Sequence, residues 1–177
     1  VNGHTDAPQS FVMGTSSDFA DLGGSPPQAK HCGVVGEFVM FGNIDDATDG
    51  VVPNRVHWCA INDPTDWPTI GSSDAAQKQS DRQDLKSGLS VQAIIGAVGG
   101  ADGAIFMRNS VFRVSYVGAP LVFEFKEVER GRGTIASQSV VNVGAFAFYL
   151  AEQGFFVYNG TTSQAIGQLG SALTTTL

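Results

Sequence analysis

The chain has 177 residues and a mass of 18.5 kDa, enough to bury one core without disulfide or metal support. It is 42% hydrophobic and only 15% charged, with 22 Gly and 12 Phe, which excludes a disordered polymer and a coiled coil and favours buried strands joined by tight turns. Seventeen acidic against ten basic residues leave a net charge of −7, the wrong sign for a surface that grips phosphates, so tight nucleic-acid binding is disfavoured.

Residues 1–30 are rich in Gly, Ser, Pro, Asp and Gln, with one short apolar patch at Phe11, Val12 and Met13, and read as an irregular arm holding at most one strand. Residues 31–177 read as an all-β repeat domain. From Cys32 onward, short runs of Val, Phe and Ile are bounded by Gly, Asn and Asp, the pattern of strands and turns. The polar stretch Ser72–Ser87 carries almost nothing apolar and is expected to be an exposed loop or one short helix. No apolar run approaches the roughly 18 to 20 residues of a membrane span, and no basic segment followed by a hydrophobic stretch opens the chain. A soluble protein is expected. Because the chain begins at Val1, it is also expected to be part of a longer polypeptide.

An internal repeat organises the domain. Gly36-Glu37-Phe38-Val39-Met40-Phe41 and Gly144-Ala145-Phe146-Ala147-Phe148-Tyr149 share the pattern G-x-F-x-[MF]-[FY], with a weaker copy at Gly103–Met107. A second strand follows each: Arg55–Trp58, Val111–Val114 and Phe155–Tyr158. Leu121–Lys126 adds a further alternating strand in the middle unit. Val111 and Phe155 stand 44 residues apart, within the roughly 40 to 45 residues of a four-stranded propeller blade. A small sheet with two apolar faces cannot cover both alone, so the expected architecture is β-propeller-like, with antiparallel meander blades stacked on one another. A β-sandwich is the alternative. The chain has room for at most about four such units.

Residues able to carry chemistry are few. His31, Cys32, His57 and Cys59 form the one metal-like set, but their spacing fits no zinc module, and a buried free thiol is the preferred reading; whether Cys32 and Cys59 pair is open. The acidic loop Asn43–Gly50 fails as a calcium loop, since Ala47 and Val56 fall where ligands are required, and reads as a solvated turn. Gly96–Gly103 lacks the Lys-Ser or Lys-Thr of a phosphate loop and reads as a flexible strand connection. Arg130-Gly131-Arg132-Gly133 reads as a flexible basic turn. No nucleophile elbow or paired acids stand out, so no enzyme activity, catalytic residue, metal or cofactor is expected. The most distinctive stretch is Trp58–Trp67, where Asn62-Asp63-Pro64 initiates a turn between two tryptophans. Trp58, Asn62, Asp63, Pro64, Asp66 and Trp67 are the candidate structural or interaction turn.

Together with Val111–Gly118, Phe123-Glu124-Phe125, Gly133-Thr134-Ile135-Ala136 and Gly154–Gly160, this stretch resembles the tail nozzle proteins of short-tailed bacteriophages, also called tail tubular protein B or packaged-DNA stabilisation proteins. The resemblance spans roughly residues 30 to 170 and lies in aromatic strands and turns. It implies a virion structural protein, made in the host cytoplasm, with a propeller body that forms a ring for genome retention and ejection. Its implied partners are other copies of itself, adjacent tail or adaptor proteins, and DNA in transient, non-specific passage, with no small-molecule substrate. The alternative is a carbohydrate-binding β domain recognising host or surface glycans, with Trp58, Trp67 and Tyr116 as stacking residues.

Overall fold

Short apolar runs punctuated by glycine become strands in the computed structural model, which describes residues 4–166. The described chain is almost entirely β. Three four-stranded antiparallel sheets follow one another in sequence, each a simple meander. The first sheet is β3 (Gln28–Val35), β4 (Phe38–Asp46), β5 (Gly50–Trp58) and β6 (Asp81–Asp84). The second is β7 (Val91–Val98), β8 (Ala101–Met107), β9 (Ser110–Gly118) and β10 (Val122–Arg130). The third is β11 (Val141–Val143), β12 (Phe146–Ala151), β13 (Gly154–Tyr158) and β14 (Ser163–Ala165). Before them, the two-residue strands β1 (Gln9–Ser10) and β2 (Ala20–Asp21) pair with each other.

Each meander opens with the same device. Two residues link Val35 to Phe38, Val98 to Ala101 and Val143 to Phe146 across the first hairpin. In the first and third sheets the leading turn residue is a glycine at positive φ, Gly36 at 57° and Gly144 at 62°, which matches the twist of the flanking strands. The repeat visible in the sequence is therefore a repeated hairpin.

The sheets stack in chain order, with the second in the middle. In β8, Ile105 and Met107 point into a core shared with the first sheet, while Ala104 and Phe106 point into a core shared with the third. All four are fully buried, as strict alternation in a sheet covered on both faces demands. A register shift between Val91 and Ala93 lets Val91 and Ile94 face the same core despite their odd spacing. The first core is aromatic along its later strands: Trp58 meets Phe123 edge-on at 5.2 Å between centroids, and Phe38 meets Phe123 at 5.0 Å. In the second core, Phe106 packs against Tyr149 and Tyr158 at 5.0 and 5.7 Å.

The first strands of the first and second sheets approach more closely than side chains permit. A Cβ on Gly33 would lie 2.5 Å from the Ile94 carbonyl oxygen, and one on Gly96 would lie 2.1 Å from that of Val34. The Gly96 carbonyl in turn accepts from Asn142 Nδ2 at 2.6 Å, so β3, β7 and β11 converge on this residue. Further along the meanders, aromatic rings fill the space between the sheets.

Three sequence expectations change. The arm is not simply irregular, since β1 and β2 pair and Phe11 packs on Phe19 at 5.3 Å; the first sheet begins at Gln28. Ser72–Ser87 contains a short helix, α1 (Ser73–Lys78), and also strand β6, which lacks apolar alternation because it pairs as an edge with β5. Gly96–Gly103 is a tight hairpin, with Gly99 wedged against the Asn159 carbonyl rather than free to flex. Three four-stranded sheets are present among the described residues, within the ceiling of about four, and the Cys59–Ser80 connection lengthens the first unit. Residues 1–3 of the expected arm and 167–177 of the expected repeat domain lie outside the described residues.

Candidate interaction site

The Trp58–Trp67 corner is built by short-range polar chemistry. Asn62 takes the left-handed conformation at φ 60°, its amide donates to the Glu37 carbonyl at 3.0 Å, and its Nδ2 donates to Glu37 Oε2 at 3.1 Å. Asp63 Oδ1 accepts from the Thr65 amide at 2.9 Å and the Thr65 hydroxyl at 2.7 Å, closing an Asx turn around Pro64. These two bonds hold the Asp63 carboxyl below the usual carboxylate range. The Ala60 amide donates to the Asp66 carbonyl, and the Asp66 carboxylate pairs with Lys78 of α1 at 2.8 Å. That hydrogen bond, with a second to Asp74, raises Lys78 to about 12.

This turn folds Trp67 back onto the first sheet. Its indole stacks on Phe41 at 4.8 Å and 4°, meets His57 edge-on at 5.3 Å, and donates from Nε1 to the Pro64 carbonyl at 2.8 Å. Trp58 is buried in the first core and donates from Nε1 to the Gln79 carbonyl at 2.9 Å. Both indoles thus have their faces against protein and their N–H groups satisfied. Of the three proposed stacking residues, Tyr116 alone is exposed, and its hydroxyl donates to Gln79 Oε1 at 2.7 Å. The corner closes the outer face of the first sheet. Replacing Asp63 with alanine is expected to loosen this closure, read as a lowered urea midpoint with an unchanged slope.

The metal-like set does not assemble. Cys32 is exposed on β3, Cys59 is buried, and both thiols are free. Burial pushes the Cys59 thiol up, and its sulfur accepts from the Val39 amide at 3.1 Å. No group of three or more His, Cys, Asp or Glu side chains able to hold a metal occurs among the described residues. Burial, helped by Arg82, lowers His57 to about 4, and burial with Lys30 and His4 lowers His31 to about 4. Both imidazoles are neutral at pH 7. Stability linked to them is complete above about pH 6.5 and is lost as pH falls towards 4. A drop in Tm on the order of 5 °C is expected across that window, and a His57→Gln variant should show a smaller one in calorimetric scans.

The acidic loop holds the largest feature that sequence reading missed. Arg55, buried in β5, donates from Nε and Nη2 to both Asp84 oxygens at 2.6 and 3.0 Å, and from Nη1 to Asp49 at 2.6 Å and Asp46 at 3.1 Å. Arg82 also pairs with Asp46. Asp46 Oδ1 meanwhile accepts from the amides of Thr48 and Asp49. The loop is therefore a clamp on a buried guanidinium, not merely a solvated turn. The one available signal was an arginine inside an apolar strand, near aspartates whose cross-strand register no spacing reveals. A cleft of about 890 Å³ opens beside it, lined in part by Pro26, Thr69 and Arg82. The basic turn after β10 is likewise pinned: the Arg132 guanidinium lies 4.5 Å over the Phe156 ring, and Gly133 sits against the Met107 carbonyl.

No protein-family model matches the chain, and no curated protein sequence matches it. No helix among the described residues is long and apolar enough to cross a membrane.

Proposed function

We propose that this chain is a non-enzymatic structural section of a phage tail nozzle, a propeller-type body that helps line the conduit through which the genome is held and released. The observation that carries the reading is the convergence of β3, β7 and β11 on Gly96 while aromatic rings fill the space between the later strands. Sheets that meet at their first strands and diverge outward are wedges, and wedges stacked in sequence order turn about an axis as blades do. The aromatic strands that resemble nozzle proteins supply that divergence: Trp58 on one sheet, Phe123 and Phe125 on the next.

A net charge of −7 suits a passage better than a clamp, because a negative lining repels the phosphate backbone and leaves few points of adhesion. Partners in this reading are other copies of the chain and neighbouring tail or adaptor proteins. The glycan reading is the weaker one, since both indoles it relies on are already packed against protein. Fluorescence anisotropy with a short labelled DNA duplex at ~0.15 M salt tests the conduit. Association weaker than micromolar is expected, whereas tighter binding would overturn it, and specific capture on a glycan array would favour the sugar-binding alternative.

A further inference from the structure

The turn that joins β13 to β14 brings a nucleophile, an activated carbon and a free leaving group together. Tyr158 pairs with Ser163 across it, so residues 159–162 form the loop. Of the asparagines among the described residues, Asn159 alone precedes a glycine, and it is exposed. Its main-chain amide donates to the Thr162 carbonyl at 3.2 Å, and its Oδ1 accepts from the amides of Thr161 at 3.0 Å and Thr162 at 2.9 Å. Two N–H donors on one carbonyl oxygen act as an oxyanion hole does: they stabilise the negative charge that grows there as the attached carbon, Cγ, turns tetrahedral. Among the described residues nothing accepts a hydrogen bond from Asn159 Nδ2, the group that would leave, or from the Gly160 amide, the group that would attack. Gly160 stands at φ 89° and has no Cβ to crowd the approach.

We propose that Asn159 is a self-modifying site, converted to aspartate and isoaspartate through a succinimide. Hydroxide takes the Gly160 amide proton, and the nitrogen bonds to Asn159 Cγ to close a five-membered ring. The Cγ–Nδ2 bond then breaks, and ammonia departs with a proton drawn from water, which restores the hydroxide. A second water opens the ring. Attack at Cγ gives aspartate, and attack at the Asn159 main-chain carbonyl gives isoaspartate. The net reaction consumes one water and releases one ammonia, with no oxidation or reduction. Its reacting groups lie one bond apart in the chain, so the step is unimolecular apart from the proton transfers.

The site stands where this change alters the fold. The Asn159 carbonyl oxygen occupies the place a Cβ on Gly99 would take, and Gly160 packs on the backbone of Val98 and Gly99. The loop therefore docks the third sheet on the first hairpin of the second. Isoaspartate routes the main chain through an extra methylene and turns the Asn159 carbonyl into a free carboxylate, and a contact this close has no slack to absorb either. Modified chains hold the third sheet less firmly, which makes the loop a clock for this junction. The inference does not depend on the tail reading.

Incubation of the full chain in mildly alkaline buffer, followed by peptide mass mapping, tests the site. A gain of one mass unit at Asn159 is expected, at least tenfold faster than at Asn142, which precedes a valine and whose Nδ2 is bonded to the Gly96 carbonyl. The rate should rise with hydroxide concentration, and the product should contain both aspartate and isoaspartate. Gly160→Ala would slow the attack but would also drive a Cβ into Gly99, so the control is Asn159→Gln, whose longer side chain must close a six-membered ring. That variant should show no gain at residue 159. Aged parent enriched in isoaspartate should unfold at a lower urea midpoint, whereas Asn159→Asp, with the same charge on an ordinary backbone, should stay near the parent. No mass gain, a rate equal to that at Asn142, or aspartate without isoaspartate would each overturn the succinimide. An unchanged midpoint in the aged protein would overturn the clock.

Discussion

Replacing Gly96 with alanine is expected to destabilise the protein by about 3 kcal/mol or more, lowering Tm by roughly 10 °C. The added Cβ would sit 2.1 Å from the Val34 carbonyl oxygen, and that oxygen belongs to backbone fixed in register by the β3–β4 ladder. Rotation cannot relieve the clash as it could for a flexible side chain. Retreat in the opposite direction strains the hydrogen bond from Asn142 Nδ2 to the Gly96 carbonyl. The first strands of two sheets must therefore separate, exposing Val35 and Ile94, which are buried together in the first core. Overpacking a well-filled core costs typically 1–3 kcal/mol, and a backbone-on-backbone contact belongs at or above the top of that range. Gly23→Ala is the matched control: its Cβ would meet only Thr65 Cβ, at an ordinary 3.8 Å, and a change within about 0.5 kcal/mol is expected. Equal urea midpoints for the two variants would remove the convergence at Gly96 as a structural determinant.

The hairpins were legible because their signals are local. A glycine able to take positive φ, followed by Phe-x-Phe or Phe-x-Met, specifies both the turn and the face its rings share, and β4 and β12 form where that pattern stands. Strand β6 was not legible, since Asp81-Arg82-Gln83-Asp84 has no apolar side chain to reveal a period and owes its extension to the ladder with β5. The Trp58–Trp67 turn was legible as a turn through Asn62, Asp63 and Pro64, but nothing in its sequence shows that Trp67 lands on Phe41, 26 residues earlier. Alternation also cannot tell which apolar face has a neighbour. Phe38 and Phe146 look alike in sequence, and only the stacking order makes one core and the other surface.

Arg55→Met is expected to cost about 2–3 kcal/mol at pH 7, because it removes the charge while keeping a similar apolar stem. The loss leaves Asp46, Asp49 and Asp84 facing one another with only Arg82 nearby. Breaking a fully buried pair costs about 3–5 kcal/mol, and solvent at the half-exposed Asp49 and Asp84 carboxylates trims that figure. The pH dependence carries a sign. In the parent, the hydrogen bonds from Arg55 hold Asp84 below the usual carboxylate range. Burial alone would push Asp46 up, but the Thr48 and Asp49 amides with Arg82 and Arg55 outweigh it and hold that carboxyl low as well. Carboxyls depressed in the folded state contribute stability that is complete above about pH 4 and is lost as pH falls further. In the variant the crowded carboxylates lose their counter-charge, so protonation relieves repulsion there while it weakens pairing in the parent. The gap in Tm between the two proteins should be widest near pH 7 and narrow steadily below about pH 4. His31 titrates alike in both and cancels from the difference, whereas His57, lowered by burial and in part by Arg55, titrates higher in the variant and adds to the narrowing between about pH 6.5 and 4. Added salt should narrow the gap at pH 7 in the same way, since screening weakens carboxylate repulsion more than it weakens a buried bidentate pair. Calorimetric scans from pH 7 to pH 3 decide the matter, and a gap that stays constant would mean that Arg55 acts through packing alone.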